Sequence, residues 1–401
     1  MITKFYSNTR LKLFAFCALS AIVIFIYASY TDYYFTQFDN FYEYENETLK
    51  YILQWTSPKT MPFVYMDVGR AGFKSRNCTY TNCVVTPNRS LLGDLRKFDV
   101  IMFHGPELHR APRSKDWPKN RAPHQKYVFA SVESSHYYPV CSPNLDNFFN
   151  WTWTFRLDSD ARWGYMLIKD SKNTVIGPNK IMHWMKLEDM DPVSEEFKVQ
   201  LRSKFKAAVW FVSNCNDKSG RKAYADKLQI QLQAKYNLTL DVFGKCGTMK
   251  CGGWNSQESC DKLIKENYYF YLAFENSLSE DYVTEKLLRA LQFDSVPIVL
   301  GFANYTRFMP DGIYLDANVL SPEELAAKMN SLILNPEEYA NFFRWKNHYS
   351  YHSREETPED NDYCNFCALL NDEEKMKKQT VIHNFHEWWD NPVHCKKKAG
   401  K

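Results

Sequence analysis

The chain has 401 residues, 45% hydrophobic and 16% aromatic, long enough for two globular domains each with its own core. A formal net charge of +3 is too small for the footprint of a nucleic-acid binder, and no internal repeat stands out.

Residues 1–12 read as a cytoplasmic tail, because Lys4, Arg10 and Lys12 precede an uncharged run over 13–30 and Asp32 follows it. That run sits at the lower end of what spans a bilayer. It is expected to be an uncleaved signal anchor. The rival reading, a cleaved secretory signal, lacks a convincing small-residue cleavage site, since the run ends Tyr27, Ala28, Ser29, Tyr30. Both readings send the rest of the chain into the secretory pathway. Two features agree with that placement. N-x-S/T sequons occur at Asn46, Asn77, Asn88, Asn150, Asn237 and Asn304. Of eleven cysteines, Cys17 lies in the apolar run, and the rest are even in number and able to pair in an oxidising lumen. Cys78 and Cys83 come early, whereas Cys364 and Cys367 form a late C-x-x-C. Disulfides are preferred to a zinc site in such a chain, but spacing leaves the pairing of these four open. Cys246, Cys251 and Cys260 are close enough for a local bridge.

Residues 31–50 are aromatic, acidic and aperiodic, and read as a stem. A first α/β domain is expected over 51–195, with strands at 51–56, 98–104, 126–132 and 150–160 and a loop over 108–125. Polar residues gather just after these strand ends: Glu133, Ser134, Ser135 and His136 after one, Arg156, Asp158 and Asp160 in another. A charged, mostly helical connection over 183–205 carries the domain boundary. The second domain, 204–350, is expected to hold strands at 206–212 and 238–243, a helix over 219–235, a βαβ unit over 268–301, and helices over 322–329 and 336–346. Residues 351–401 are expected to form a C-terminal segment that packs back on the first domain, and from Asn361 onwards they read as polar and irregular apart from the C-x-x-C and the aromatic pair Trp388 and Trp389.

The βαβ unit organises the rest. Residues 268–274 are almost wholly apolar, as a strand buried on both faces of a parallel sheet must be, and the apolar character stops at Glu275. Ser279 or Asp281 is placed to cap the following helix, whose apolar stripe is Val283, Leu287, Ala290 and Leu291 and whose polar stripe is Tyr282, Glu285, Lys286 and Arg289. A polar loop, a helix amino terminus and a lysine at a sheet mouth favour an anionic ligand, a diphosphate above all. The bland alternative is a solvated helix face.

Tandem α/β domains with an anion site fit a glycosyltransferase whose donor and acceptor meet in an interdomain cleft. The stretches FYLAFENS, DYVTEK and VPIVLG within 270–301 closely resemble the donor-site signature of the α-1,3-fucosyltransferase family. The resemblance extends to KYVFASVESSHY, NWTWTFRLDSD, VSNCNDKSGRKAYADKL, DVFGKCG and the late C-x-x-C. It implies two Rossmann-like domains facing across a cleft (GT-B type), behind one transmembrane helix and a stem, in a single-pass type II Golgi membrane protein. It also implies inverting transfer of L-fucose from GDP-fucose to an N-acetylglucosamine hydroxyl of a glycan. By position, Arg221 and Lys286 would hold the diphosphate, Asn276, Tyr282 and Glu285 would contact the nucleotide or the fucose, and Glu133 would be the base. The family often has proline after the glutamate-serine pair, where this chain has Ser135. The resemblance suggests bridges from Cys78 and Cys83 to Cys364 and Cys367. It implies no obligatory cofactor or metal, with a divalent cation at most a stimulant. The D-x-D of Asp158 and Asp160 invites a manganese reading, which we set aside because it lies in the acceptor domain and Lys286 with Arg221 already supplies positive charge. Two other classes stay open: a catalytically inactive, membrane-anchored glycan-binding homologue, and a transferase for another nucleotide sugar.

Overall fold

The computed structural model describes residues 48–59, 61–110, 117–141, 143–251 and 256–390. The expected tail, signal anchor, nearly all of the stem, Cys17 and Asn46 lie outside them. Among the described residues no helix is long and apolar enough to cross a membrane.

Six strands, β1 (Lys50–Gln54), β2 (Cys83–Thr86), β3 (Val100–His104), β4 (Lys126–Ser131), β5 (Trp151–Thr154) and β6 (Ala161–Arg162), form a first sheet. It is parallel throughout and ordered β2-β1-β3-β4-β5-β6. β7 (Leu167–Asp170) and β8 (Val175–Gly177) follow. The second sheet comprises β9 (Lys206–Phe211), β10 (Leu240–Phe243), β11 (Tyr268–Phe274), β12 (Val296–Leu300) and β13 (Leu315–Asp316). Its order is β10-β9-β11-β12-β13, again parallel. β14 (Tyr349–His352) pairs antiparallel with β7, making a small third sheet with β8. The strand expected over 150–160 is thus shorter, because Asp160 turns back to accept from the Thr152 N–H and hydroxyl at 2.9 and 3.1 Å.

Strands of a parallel sheet are buried on both faces, so each sheet needs two covers. Around the second sheet, Trp210, Phe270 and Ile298 face one cluster and Val209, Tyr271 and Val299 the other. The second of these clusters also takes in Met166, Ile168 and Met190, so by packing the residues around β7 join the second domain, ahead of the boundary expected near 195. Short strands such as β7 and β8 carry too little periodicity to reveal which sheet they will cover.

The first sheet is covered from the chain's far end. Tyr363, Phe366 and Leu370 pack on the face bearing Ile52, Val100 and Val128, while Phe385 and Trp389 pack on the face bearing Leu53, Phe103 and Phe129. This segment is not irregular, as its polar composition suggested. It folds into helices Asp362–Asn371, Glu373–Lys377 and Phe385–Trp389, the first started by Asn361, whose side chain accepts from the N–H groups of Tyr363 and Cys364. Disulfides Cys78–Cys364 and Cys83–Cys367 pin it. Cys215–Cys246 and Cys251–Cys260 are further bridges, and Cys141 is also disulfide-bonded.

The sequons divide by environment. Asn77, Asn88, Asn237 and Asn304 are exposed. Asn150 is not a fitting glycan acceptor: it is 8% exposed, its Oδ1 accepts from the Tyr127 N–H at 2.7 Å and its Nδ2 donates to the Thr380 carbonyl at 2.6 Å. Both polar atoms of its side chain are thus already engaged within the fold.

The two long-range bridges close loops of nearly three hundred residues, so they restrict the unfolded chain strongly. Cys364→Ser and Cys367→Ser are each expected to cost about 2–5 kcal/mol, seen as a lowered melting temperature of the oxidised chain. A double variant that melts with the unaltered chain would show that the clamp adds nothing.

Candidate active site at the mouths of the two sheets

In the second sheet β9 lies between β10 and β11, so the crossovers leave β9 in opposite directions. The carboxyl ends of β9 and β11 then frame a crevice, which is where open α/β sheets bind ligands. β9 feeds a loop into the helix Arg221–Tyr236, and β11 feeds Glu275 and a loop into the helix Glu285–Gln292.

That second helix starts later than the caps Ser279 or Asp281 suggested. Asp281 adopts a left-handed φ of 58°, and its buried carboxylate is taken by Lys180 at 3.0 Å and Arg307 at 2.7 Å. Thr284 is the N-cap and makes no side-chain cap bond. Its hydroxyl instead faces back to Glu275. Leu287, Ala290 and Leu291 are buried as the stripe required, and Val283 is buried ahead of the helix.

Glu275 is 1% exposed and accepts from the Thr284 N–H and hydroxyl, both at 2.9 Å, and from Lys286 Nζ at 3.0 Å. Burial pushes its carboxyl up and Lys286 opposes that shift. Burial alone would depress Lys286, but Glu275 and Glu285 outweigh it and lift the ammonium to about 12, so it stays charged. Lys286 also donates to Thr284 Oγ1 at 2.7 Å and to Glu285 at 3.2 Å, the latter carboxylate being 66% exposed. Arg221, 2% exposed, ties the two strand ends together through the carbonyls of Phe274 (2.8 Å) and Asn214 (3.0 Å). Its Nε, like the buried Tyr305 hydroxyl, has no hydrogen-bond partner among the described residues. Gly301 lets that hydroxyl approach, for a Cβ there would stand 2.5 Å from it and 3.6 Å from Glu275 Cγ. A cation and two orphaned donors therefore converge around the mouth, the arrangement an anion completes.

The loop after β4 meets this mouth from the first domain. Ser134 and Ser277 share a hydroxyl bond at 2.6 Å, and Ser135 and Ser279 another at 3.0 Å. His136 Nδ1 accepts from the Leu278 N–H at 3.1 Å. Ser135, where the resembled family often has proline, is thus an interdomain contact. Half-buried Glu133 lies at the head of this loop and accepts from the Tyr282 hydroxyl at 3.4 Å. Tyr282 is 3% exposed, and burial holds its phenol well above the usual range, so it donates. Burial also raises Glu133, against the pull of Lys286 and the Tyr282 bond. Tyr165 braces the strand end by donating to the Val132 carbonyl at 2.6 Å.

Glu133, Arg221, Tyr282, Glu285 and Lys286 are thus gathered at one place. Asn276 sits on the same loop, its Oδ1 accepting from Ser277 at 2.8 Å and its carbonyl from the Lys218 N–H at 3.0 Å. Asp158 and Asp160 serve other groups. Against burial, Arg156 and Lys180 hold Asp158 down at about 2, and Asp160 caps Thr152. Sequence reading missed Glu275 as the anchor, although a carboxylate directly after a seven-residue apolar strand is its signal. The hydroxyl pairs and Tyr305 had none.

Because Glu275 is buried, Lys286→Met leaves an uncompensated carboxylate and is expected to cost about 3–5 kcal/mol. Glu275→Gln combined with Lys286→Met should recover much of that loss. Thermal melts of both variants check this, and a double variant as unstable as the single one refutes the pairing.

The description "Glycosyltransferase family 10 (fucosyltransferase) C-term" matches residues 201–388, and "Fucosyltransferase, N-terminal" matches 47–166. Alpha-(1,3)-fucosyltransferase C of Drosophila melanogaster is 34% identical over 322 residues, 79% of this chain and 71% of that one. Alpha-(1,3)-fucosyltransferase fut-1 of Caenorhabditis elegans is 31% identical over 334 residues, 80% and 68% respectively. A solved structure titled alpha1,3-Fucosyltransferase with GDP is 16% identical with a TM-score of 0.49, over 85% of this chain and 94% of that one, too distant to argue from. With both halves of the chain matched and a relative at this identity covered over more than two thirds of its length, the chain belongs to glycosyltransferase family 10, the fucosyltransferases.

Proposed function

We propose that the chain transfers L-fucose from GDP-fucose to a hydroxyl of N-acetylglucosamine in a glycan, in α-1,3 linkage and with inversion. The observation that carries this is that Glu133, from the first domain, accepts from Tyr282 of the second and feels the charges of the buried Glu275–Lys286 pair. The acceptor oxygen attacks the anomeric carbon and its proton passes to the Glu133 carboxylate, while the bond from that carbon to the diphosphate oxygen breaks and its electron pair leaves on GDP. Burial makes Glu133 a stronger proton acceptor than a solvated glutamate, and nearby Lys286 pulls the other way, favouring the carboxylate form.

Charge building on GDP is met by Lys286, by the unpaired Arg221 Nε and by the uncapped amino terminus of Glu285–Gln292. An incoming phosphate displaces exposed Glu285 from Lys286 most readily. Asn276 and Tyr282 line the same crevice and are assigned to the nucleotide or the fucose. Asp158 is committed to Arg156 and Lys180 and Asp160 to Thr152, so turnover is expected without an obligatory metal and to survive a chelator.

The pH profile follows from Glu133. A base whose pKa is raised gives a kcat/KM that falls with decreasing pH at a point above the ordinary glutamate value. Glu133→Gln is expected to abolish that limb and lose transfer by about 10²–10⁴-fold, while GDP, in preference to UDP or CMP, still binds. Transfer unaffected by Glu133→Gln sinks the base. Preference for UDP sinks the fucosyl reading, and GDP binding without any turnover of the unaltered chain returns the inactive glycan-binding alternative.

The chain is further assigned to the Golgi membrane as a single-pass type II protein, with residues 13–30 as the anchor and the catalytic part luminal. The charge asymmetry around that run and the exposed sequons support this reading. Endoglycosidase-sensitive mass on the full chain, protected from added protease in sealed vesicles, is the expected result. A protease-accessible, unglycosylated chain contradicts it.

A further inference from the structure

A cavity of about 250 Å³ opens where the loops of both sheets meet the last of the described helices. Phe155 and Arg156 line it from beyond β5, Glu280 from the loop after β11, Phe302 from beyond β12, and Glu387 and Trp388 from the helix Phe385–Trp389. Neither Lys286 nor Arg221 lines it, so it is not the crevice assigned to the diphosphate. It adjoins the base: Phe155 packs edge-on to Tyr282 with ring centres 4.9 Å apart, and Tyr282 donates to Glu133. Ser135, two residues after Glu133, is also in its wall.

The lining has a distinct chemistry. Trp388 is seated on the Arg156 guanidinium, 4.6 Å from its ring centre, and Arg156 is held by Asp158 through two bonds of 2.9 Å. Phe302 is 54% exposed, a large ring left at the surface beside a polar site. Glu280 is fixed by Lys180 and Arg307 at 3.0 and 3.2 Å. Arg156 is engaged by Asp158 and Trp388, and the carboxylates of Glu280 and Glu387 can accept from hydroxyls. A pyranose offers apolar C–H faces to aromatic rings and a rim of hydroxyls to carboxylates, so it complements this wall. The volume is below the roughly 300–1,000 Å³ of pockets for drug-sized ligands, and suits a single ring.

We propose that this cavity holds the sugar ring of the acceptor glycan adjoining the one that receives fucose, with Trp388 and Phe302 as its stacking platforms. The C-terminal helix is thereby a determinant of which glycan is used. The assignment rests on the fucosyltransferase reading above.

The test compares an oligosaccharide acceptor with a single-ring N-acetylglucosamine glycoside. Trp388→Ala and Phe302→Ala are each expected to raise KM for the oligosaccharide about tenfold, equivalent to about 1.4 kcal/mol. KM for the single-ring acceptor and for GDP-fucose should hold, and Trp388→Phe should restore most of the oligosaccharide KM. Phe302→Ala removes an exposed ring, so it remains decisive if Trp388→Ala lowers the melting temperature. Unchanged oligosaccharide KM in Phe302→Ala and Trp388→Ala, or equal losses for both acceptors, overturns the subsite. If the unaltered chain uses no GDP-fucose, the functional reading has failed. Saturation-transfer NMR with the free oligosaccharide then still decides the cavity, which is supported only if both substitutions abolish the signal.

Discussion

A parallel sheet needs cover on both faces, and the first sheet of this chain finds only part of it among its own connections, such as Phe63 and Phe73 on one face and Leu108 and Leu145 on the other. Between β3 and β6 the described residues hold only the six-residue helix Gly105–Arg110 and a 3-10 turn at Pro143–Leu145. Helices from the far end of the chain supply the missing layers, Tyr363 and Phe366 on one face, Phe385 and Trp389 on the other. Trp153 is stacked between Trp163 and Phe366, with ring centres 5.0 and 4.7 Å away, so local and distant segments share one core. The two long-range disulfides hold this arrangement at the point where its loop-closure entropy is greatest.

Closing the first sheet in this way also shapes the cleft. The helix that covers Phe129 presents Trp388 on its other side, next to residues delivered by β5 and by the second sheet. Structural cover and a wall of the cleft are therefore the same segment. On the opposite side of the cleft, the mouth of the second sheet is organised by a carboxylate that burial alone would not tolerate. Glu275 is stabilised there by Thr284 and Lys286. Since the Thr284 hydroxyl serves Glu275, it does not cap its own helix. Four serine hydroxyls and His136 then lock the loop of Glu133 against this mouth.

Much of this was legible in the chain. Runs such as 126–132 and 268–274 are apolar because both faces of a parallel sheet exclude water, so the strands, the α/β class, the strand-end positions of Glu133 and Glu275 and the place of Lys286 on the following helix are readable from pattern at short range. Long, specific stretches of resemblance named the family. What tertiary structure alone decided lies between residues far apart in sequence. Asp281 looks like a helix cap but is claimed by Lys180 and Arg307; Asn150 looks like a glycan acceptor but is spent on Tyr127 and Thr380. The polar tail after 361 becomes a two-sided cover whose aromatic residues carry no periodicity of their own. Local pattern reports what a residue prefers where nothing competes. Burial, ion pairing and hydrogen bonding with distant partners settled these cases, because each is worth more than the local preference it overrides.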